Sequence, residues 1–235
     1  MAGWRFIFKP GLTIATALAL ALLIALGTWQ VKRLEWKRDL IARVEARTAA
    51  APIPFDEALA RAEAGEAMEY APVRLSGRMD AGGTAKVFGS YEGEAGVYVF
   101  APLTTDDGET VYVNEGFAPQ ALRDELAPPA GEQTVTGLLR YAEKPAPPAS
   151  WFQPEGKSAD GLWFIRDPKA FAEEAGGEAL SYYVDEFAVA GRDWPKGGTT
   201  RLKFNNRHLE YALTWFGLAA ALVGVWLVFS LKRPD

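Results

Sequence analysis

The chain of 235 residues has no cysteine and a single histidine, His208. Without cysteine there are no disulfides, no thiolate metal sites and no thiol nucleophile. One imidazole cannot serve a Ser-His-Asp arrangement in parts of the chain remote from it, and zinc would lack its usual nitrogen and sulfur ligands there. Phosphate-binding glycine fingerprints are also missing, and Gly82-Gly83 and Gly176-Gly177 read as turns. Acid pairs such as Asp106-Asp107 and Glu173-Glu174 read as solvated faces, with hydrolysis by two carboxylates a minor alternative. The composition points away from an enzyme.

Charge is missing from two long stretches. Gly11 to Val31 is a run of 21 residues without a charged side chain, and Tyr211 to Leu231 is another run of 21. At about 1.5 Å of rise per residue, each helix would reach roughly 30 Å, the hydrocarbon thickness of a bilayer. The first run is longer than a signal-peptide core and ends in Thr28-Trp29-Gln30 rather than a small-x-small cleavage site, so it reads as an uncleaved anchor. The expected organisation is a membrane protein of five parts. Residues 1–10 form a short terminus, 11–31 a first transmembrane helix, 32–207 a β-rich aqueous domain with a helical stem, 208–231 a second transmembrane helix, and 232–235 a short tail. The two spans are expected to pack side by side, with Gly27 and neighbouring Ala residues against Gly217, Ala220 and Gly224.

Between Val44 and Thr200 the chain carries 26 acidic and 13 basic residues, whereas the rest has 4 acidic and 12 basic. An acidic domain lacks the basic footprint that nucleic acid requires, so no nucleic acid is expected as a partner. The basic flanks fit contact with membrane lipid. They leave orientation open: Arg5, Lys9, Lys232 and Arg233 favour one side, while Lys32, Arg33, Lys37, Arg38, Arg201, Lys203 and Arg207 favour the other.

After the first span the chain continues without Gly or Pro from Lys32 to about Arg47, which predicts a helical stem, and Phe55 to Gly65 predicts a short helix. From Tyr70 the apolar period becomes two. Strands are expected around Val73-Leu75, Ala85-Val87, Val97-Val99, Val111-Val113 and Val135-Leu139, then Leu162 to Arg166 and Leu180 to Val189, with a Pro168-started helix between the last two. Asp107-Gly108 reads as a hairpin turn and Pro145 to Pro148 as a loop. The fold class expected is an α+β domain, a small antiparallel barrel or curled sheet, flanked by two transmembrane α-helices.

His208 falls at the start of the second span, and Tyr211, Ala212 and Trp215 follow at helical spacing on its face. Neutral imidazole is a common ligand of metals and of haem iron; a small Ala one turn on leaves room for a flat macrocycle, and Trp215 offers a stacking surface. A histidine hydrogen-bonding near Asn205 and Asn206 at the membrane interface is the other reading. Trp29 belongs equally well to an interfacial aromatic belt.

The segment Asn206-Arg207-His208-Leu209-Glu210-Tyr211-Ala212-Leu213-Thr214-Trp215-Phe216-Gly217-Leu218-Ala219 closely resembles the entry to the second span of the Surfeit-locus assembly family. Leu26-Gly27-Thr28-Trp29-Gln30-Val31-Lys32-Arg33-Leu34-Glu35-Trp36-Lys37 is similar to that family's other hallmark. Tyr70-Ala71-Pro72-Val73-Arg74-Leu75-Ser76-Gly77 and Val111-Tyr112-Val113-Asn114-Glu115-Gly116-Phe117-Ala118-Pro119 resemble its internal motifs, all in the family's order. One departure is Glu115, where the family often has Arg.

The resemblance implies a non-enzymatic assembly factor for haem-copper cytochrome c oxidase that binds haem a and aids its insertion into the catalytic subunit. Its implied partners are that subunit and haem A synthase, its implied location the bacterial inner membrane, with both termini cytoplasmic and the central domain periplasmic. The family's proposed haem ligand maps onto His208. Trp215, Tyr211 and Trp29 then become candidate flanking surfaces, and Arg33, Lys37 and Arg207 candidate partners for the haem propionates. The alternative is a scaffold that stabilises an oxidase subunit and never ligates haem.

Overall fold

The computed structural model describes residues 5–126, 128–144, 147, 151, 156–200, 202 and 206–232. In chain order the elements are β1 (Arg5–Phe6), α1 (Pro10–Thr48), β2 (Ile53–Pro54), α2 (Phe55–Glu63), β3 (Pro72–Met79), β4 (Ala85–Tyr91), β5 (Glu94–Thr105), β6 (Thr110–Pro119), β7 (Gly131–Tyr141), α3 (Pro168–Glu174), β8 (Tyr182–Glu186), α4 (His208–Ser230) and β9 (Leu231–Lys232). They form two compact units: Met1–Arg43 with Lys203–Asp235, and Val44–Leu202.

In the first unit α1 and α4 pack antiparallel. Covered positions on α1 recur at Thr13, Thr16, Leu20, Leu23, Gly27, Gln30 and Leu34, and on α4 at His208, Ala212, Trp215, Ala219, Leu222 and Trp226. This alternation of three and four residues is the spacing of a shallow left-handed helix pair. Gly27 makes room for a ring of α4, since a Cβ there would lie 2.6 Å from the Phe216 ring. At one end Trp226 Nε1 donates to Thr13 Oγ1 at 3.3 Å, the Phe6 ring meets Trp226 edge-on, and β1 pairs with β9.

Both helices are long and apolar enough to cross a membrane, and only 11% of the most apolar window of each is buried within the chain. A soluble core helix would be mostly covered. Here Leu18 and Val228 are 69% and 71% exposed, among many large apolar side chains facing outward. The small residues on the contact face differ from the sequence expectation, in which Gly27 and neighbouring Ala residues meet Gly217, Ala220 and Gly224. Ala212 and Ala219 are the buried ones, whereas nothing lies within 4 Å of a Cβ at Gly217 or Gly224 and Ala220 is exposed. Once His208 faces α1, the heptad spacing carries Gly217, Ala220 and Gly224 to the outer side.

The second unit is one curled mixed sheet in the order β2-β3-β7-β8-β6-β5-β4, with β3 also pairing with β5 through Gly77-Arg78-Met79. The ladder therefore runs from β3 through β7, β8, β6 and β5 back to β3. The sheet is not purely antiparallel: β8 enters between β7 and β6, antiparallel to the first and parallel to the second, and β2 is parallel to β3. Strand β5 turns into β6 through the Asp107-Gly108 hairpin. Strand β6 is buried from Val111 to Ala118, so both its faces are covered. One face joins Val73, Leu103, Val111, Val113, Leu139 and Val184 with Phe55, Ala58 and Leu59 of α2. The other is aromatic: Phe171 of α3 sits 5.1–5.4 Å from the rings of Trp163, Phe100 and Tyr112. Asp167 caps α3 by accepting from the backbone N–H of Lys169 and Ala170, and Pro168 starts its first turn.

Two strand expectations are revised. Leu162 to Arg166 is not a strand but makes isolated bridges through Trp163, whose N–H and C=O pair with Lys86 and Phe88. It lies between a tight turn at Gly161 and the α3 cap at Asp167, too short a stretch to extend the ladder. Strand β8 covers only Tyr182–Glu186 of the longer run. The Pro145 to Pro148 loop lies outside the described residues except for Pro147.

Buried charge is gathered where β6, β7 and β8 meet. Asp185 accepts from Asn114 Nδ2 at 2.7 Å, Arg140 Nη1 at 2.8 Å and Thr200 Oγ1 at 2.8 Å, so its carboxylate is well compensated. Arg140 also reaches Glu69 and stacks over Tyr70 at 4.6 Å. Glu115 is different. It is 1% exposed, its Oε1 lies 3.8 Å from Arg192 Nη1, and its Oε2 has no hydrogen-bond partner among the described residues. Arg192 instead donates to the Glu186 carboxylate and to the Glu115 backbone carbonyl. Burial pushes the Glu115 carboxyl up to about 7, against a partial opposing pull from Arg192. Beside it Gly116 has φ +125° and lies so close to the Lys196 carbonyl that a Cβ would come within 2.0 Å.

Two outcomes follow from this packing. Because the chain has no native cysteine, cysteines placed at Thr13 and Trp226 should be bridged within one chain by a short bismaleimide, and pairs using Gly217 or Gly224 should not; mobility on denaturing gels reads the result. The second outcome concerns pH. Glu115 ionises at about 4.5 when unfolded and about 7 when folded, so between those values the folded chain holds the extra proton. Its stability therefore falls as pH rises across that window, by about 3 kcal/mol for this group. Glu115→Gln should flatten the fall and raise the unfolding midpoint at pH 8, measured by urea titration at pH 5 and pH 8.

Candidate ligand-binding site

Helix α4 begins at His208 with no side-chain cap from Arg207. The ring of His208 finds its partner on α1 instead: Nδ1 lies 2.7 Å from Oε1 of Gln30. An amide oxygen only accepts, so Nδ1 carries the proton, and in the neutral ring Nε2 keeps its lone pair. Gln30 is 9% exposed and belongs to the uncharged run of α1. A polar group in such surroundings is costly unless it is hydrogen-bonded, and the ring of His208 satisfies it.

The other residues expected at this site divide in two. Trp215 lies two turns along α4 from His208, half-buried on the same covered face, with Ala212 between them. Tyr211 and Trp29 are 50% and 55% exposed and point away from the α1–α4 contact. The Arg33 guanidinium stacks on Trp36 at 3.8 Å from the ring centroid. Arg207 pairs with Glu210 through Nε and Nη2 at 2.9 and 2.8 Å, with both side chains more than half exposed. An exposed pair of this kind is held weakly and exchanges readily with another anion. Lys37 is half-buried on α1. Of the alternative contacts expected for His208, Asn206 Oδ1 is buried without a hydrogen-bond partner among the described residues, and Asn205 lies outside them.

Gln30 is the residue that sequence reasoning left inside a motif without a role. The signal was there, since a lone amide within a bilayer-length uncharged run needs a polar partner, and the nearest imidazole in the other run is its natural match. Among the described residues no group of three or more His, Asp or Glu side chains is arranged to hold a metal ion. What this end of the helix pair offers is a single nitrogen ligand, an indole wall and nearby exposed cations. The acid pairs Asp106-Asp107 and Glu173-Glu174 are exposed.

Comparison with known proteins agrees with the motifs. The model described as "SURF1 family" matches residues 17–220. The chain is 33% identical to Surfeit locus protein 1 of Rattus norvegicus, over 98% of this chain and 76% of that protein. It is 34% identical to Surfeit locus protein 1 of Homo sapiens, over 88% and 73%, and 31% identical to a SURF1-like protein of Monosiga brevicollis, over 88% and 83%. The match runs from within the first apolar helix, through the whole β unit, into the second, and takes in both Gln30 and His208: the chain belongs to the SURF1 family.

Proposed function

We propose that this chain is a membrane-bound assembly factor for haem-copper cytochrome c oxidase, which carries haem a as cargo and aids its insertion into the catalytic subunit. The observation that carries the reading is the only histidine of the chain, held through Nδ1 where α1 and α4 meet, with Nε2 left for a ligand. Haem a is lipophilic, and a site between bilayer-length helices suits it better than one in water. In this reading His208 Nε2 is the iron ligand and Trp215 supplies an apolar wall. Arg33 and Arg207 meet the propionates, Arg207 by exchanging its exposed contact with Glu210. Tyr211 and Trp29, which face outward, sit on the membrane side of the site. One protein ligand is a weak hold, which favours handing the cargo on over storing it. The role is transfer without catalysis, with haem A synthase as donor and the oxidase catalytic subunit as acceptor.

The same reading sets the protein in a bacterial inner membrane with both termini cytoplasmic and the acidic β unit periplasmic. Asp107→Cys, at the exposed β5–β6 turn, should be labelled in outer-membrane-permeabilised cells by a maleimide that does not cross the inner membrane, and Lys9→Cys should be protected. The reverse pattern would invert the topology.

For the cargo, the protein is purified from cells that also make haem A synthase, and haem is quantified by its absorbance and by extraction. His208→Ala should lower haem content at least tenfold while leaving the protein in the membrane. Arg33→Ala should lower it a few-fold, since water replaces one propionate partner at an interface, and Trp215→Ala should lower it by a similar factor through loss of the apolar wall. Full haem content and an unchanged spectrum in His208→Ala would remove the ligand assignment. The weight would then pass to the scaffold reading, in which the chain holds an oxidase subunit and binds no haem.

A further inference from the structure

The geometry points to Gln30 as the positioning residue of His208: it fixes the imidazole in the tautomer protonated at Nδ1 and turns Nε2, with its lone pair, into the ligand atom. This deepens the proposed cargo site and rests on it only for the identity of what Nε2 binds.

Oε1 of Gln30 and Nδ1 of His208 are 2.7 Å apart, a short contact for a neutral pair and within full hydrogen-bond range. The amide oxygen has no proton to give, so the bond exists only when Nδ1 has one. In a neutral imidazole that leaves Nε2 unprotonated. In water the two tautomers exchange freely, and a ring with no partner would present its lone pair at either nitrogen. Gln30 removes that choice. Its own freedom is small, because it is buried on the covered face of α1, one turn from Gly27 and the close contact with Phe216. Hydrogen-bonding the nitrogen that does not ligate is how proteins orient metal-bound histidines and raise their basicity. A carboxylate in that place makes the ring a stronger donor than an amide does, so an amide gives a firm orientation with a moderate ligand. That combination matches a site that must release what it holds.

Because His208 is the only histidine, labelling with 15N-histidine gives the spectrum of one ring and needs no assignment. The full chain, free of haem in detergent or nanodiscs, is recorded across a pH series and read where the imidazole is neutral. Wild type should show the proton on Nδ1. Gln30→Leu, which keeps the volume and removes the acceptor, should lose that preference and populate both tautomers. Gln30→Glu, which restores an acceptor, should keep the proton on Nδ1 and guards against a folding failure in the leucine variant. Protonation at Nε2 in wild type, the state an amide turned to donate would impose, overturns the inference. So does an unchanged tautomer in Gln30→Leu, or loss of the Nδ1 proton in Gln30→Glu. A second measurement is made on protein loaded with haem a: Gln30→Glu should shift the midpoint potential of the bound haem downward relative to wild type, and an unchanged potential counts against the positioning role. If no haem is retained by wild type while the tautomer behaves as stated, the cargo reading fails and the Gln30 contact stands. If haem is retained through His208 while the tautomer is wrong, the cargo reading stands and Gln30 loses its role.

Discussion

Two helices whose outer faces are apolar gain little by burying apolar surface against each other once lipid surrounds them. In a bilayer the association of such a pair would depend instead on close packing and on polar groups that have nowhere else to go. The α1–α4 pair meets that constraint with few parts. Gly27 admits the Phe216 ring, Thr13 and Trp226 join one end, and Gln30 and His208 join the other. The same bond that ends the polar isolation of Gln30 aims the histidine. Structure and proposed function therefore share one interaction, and the placement of Trp215 follows from it, because heptad spacing carries the face of His208 down the contact.

The β unit solves a different problem with different means. Its central strand, β6, is covered on both faces, so side-chain volume and charge compensation are settled together there. Asp185 is surrounded by Asn114, Arg140 and Thr200, while Glu115 one residue along from Asn114 is left half-compensated by Arg192. The motif from Val111 to Pro119 thus marks a structural joint: Asn114 tethers β8 through Asp185, and Gly116 admits the Lys196 backbone. The other internal motif behaves alike, with Tyr70 under the Arg140 guanidinium that reaches Asp185. Glu115 lies in this joint, and its consequence falls on the stability of the β unit.

Much of the architecture is legible in the pattern of residues. Two uncharged runs of 21 residues, a stem with no helix breaker and the switch to period two at Tyr70 are one-dimensional signals, and they carry over to α1, α4 and the strands. Parallel pairing is not such a signal. The insertion of β8 between β6 and β7 depends on contacts between residues some 70 apart, such as Asn114 with Asp185, and no local period reports them. Leu162 to Arg166 misled for a similar reason, since a run of consecutive apolar residues buries Leu162 and Trp163 with isolated bridges and no ladder. At the candidate site, His208 stood out because it is alone. Gln30 did not, because an amide within a hydrophobic run advertises a need for a partner without saying which.

The place of β8 also imposes an order on folding. It is the last strand of the sheet to be synthesised, and it fills the gap between two strands that precede it. Until Tyr182–Glu186 has emerged, β6 and β7 each present an open edge, and the aspartate that neutralises Arg140 has not yet been made. The nascent domain therefore waits with unpaired backbone on two strands, the condition under which chains pair wrongly with each other. Closure requires long-range contacts and is correspondingly slow. Synthesis that pauses or stops before residue 182 would leave an adhesive half-sheet, whereas a pause soon after residue 186 would give the sheet time to shut before the second apolar helix is made.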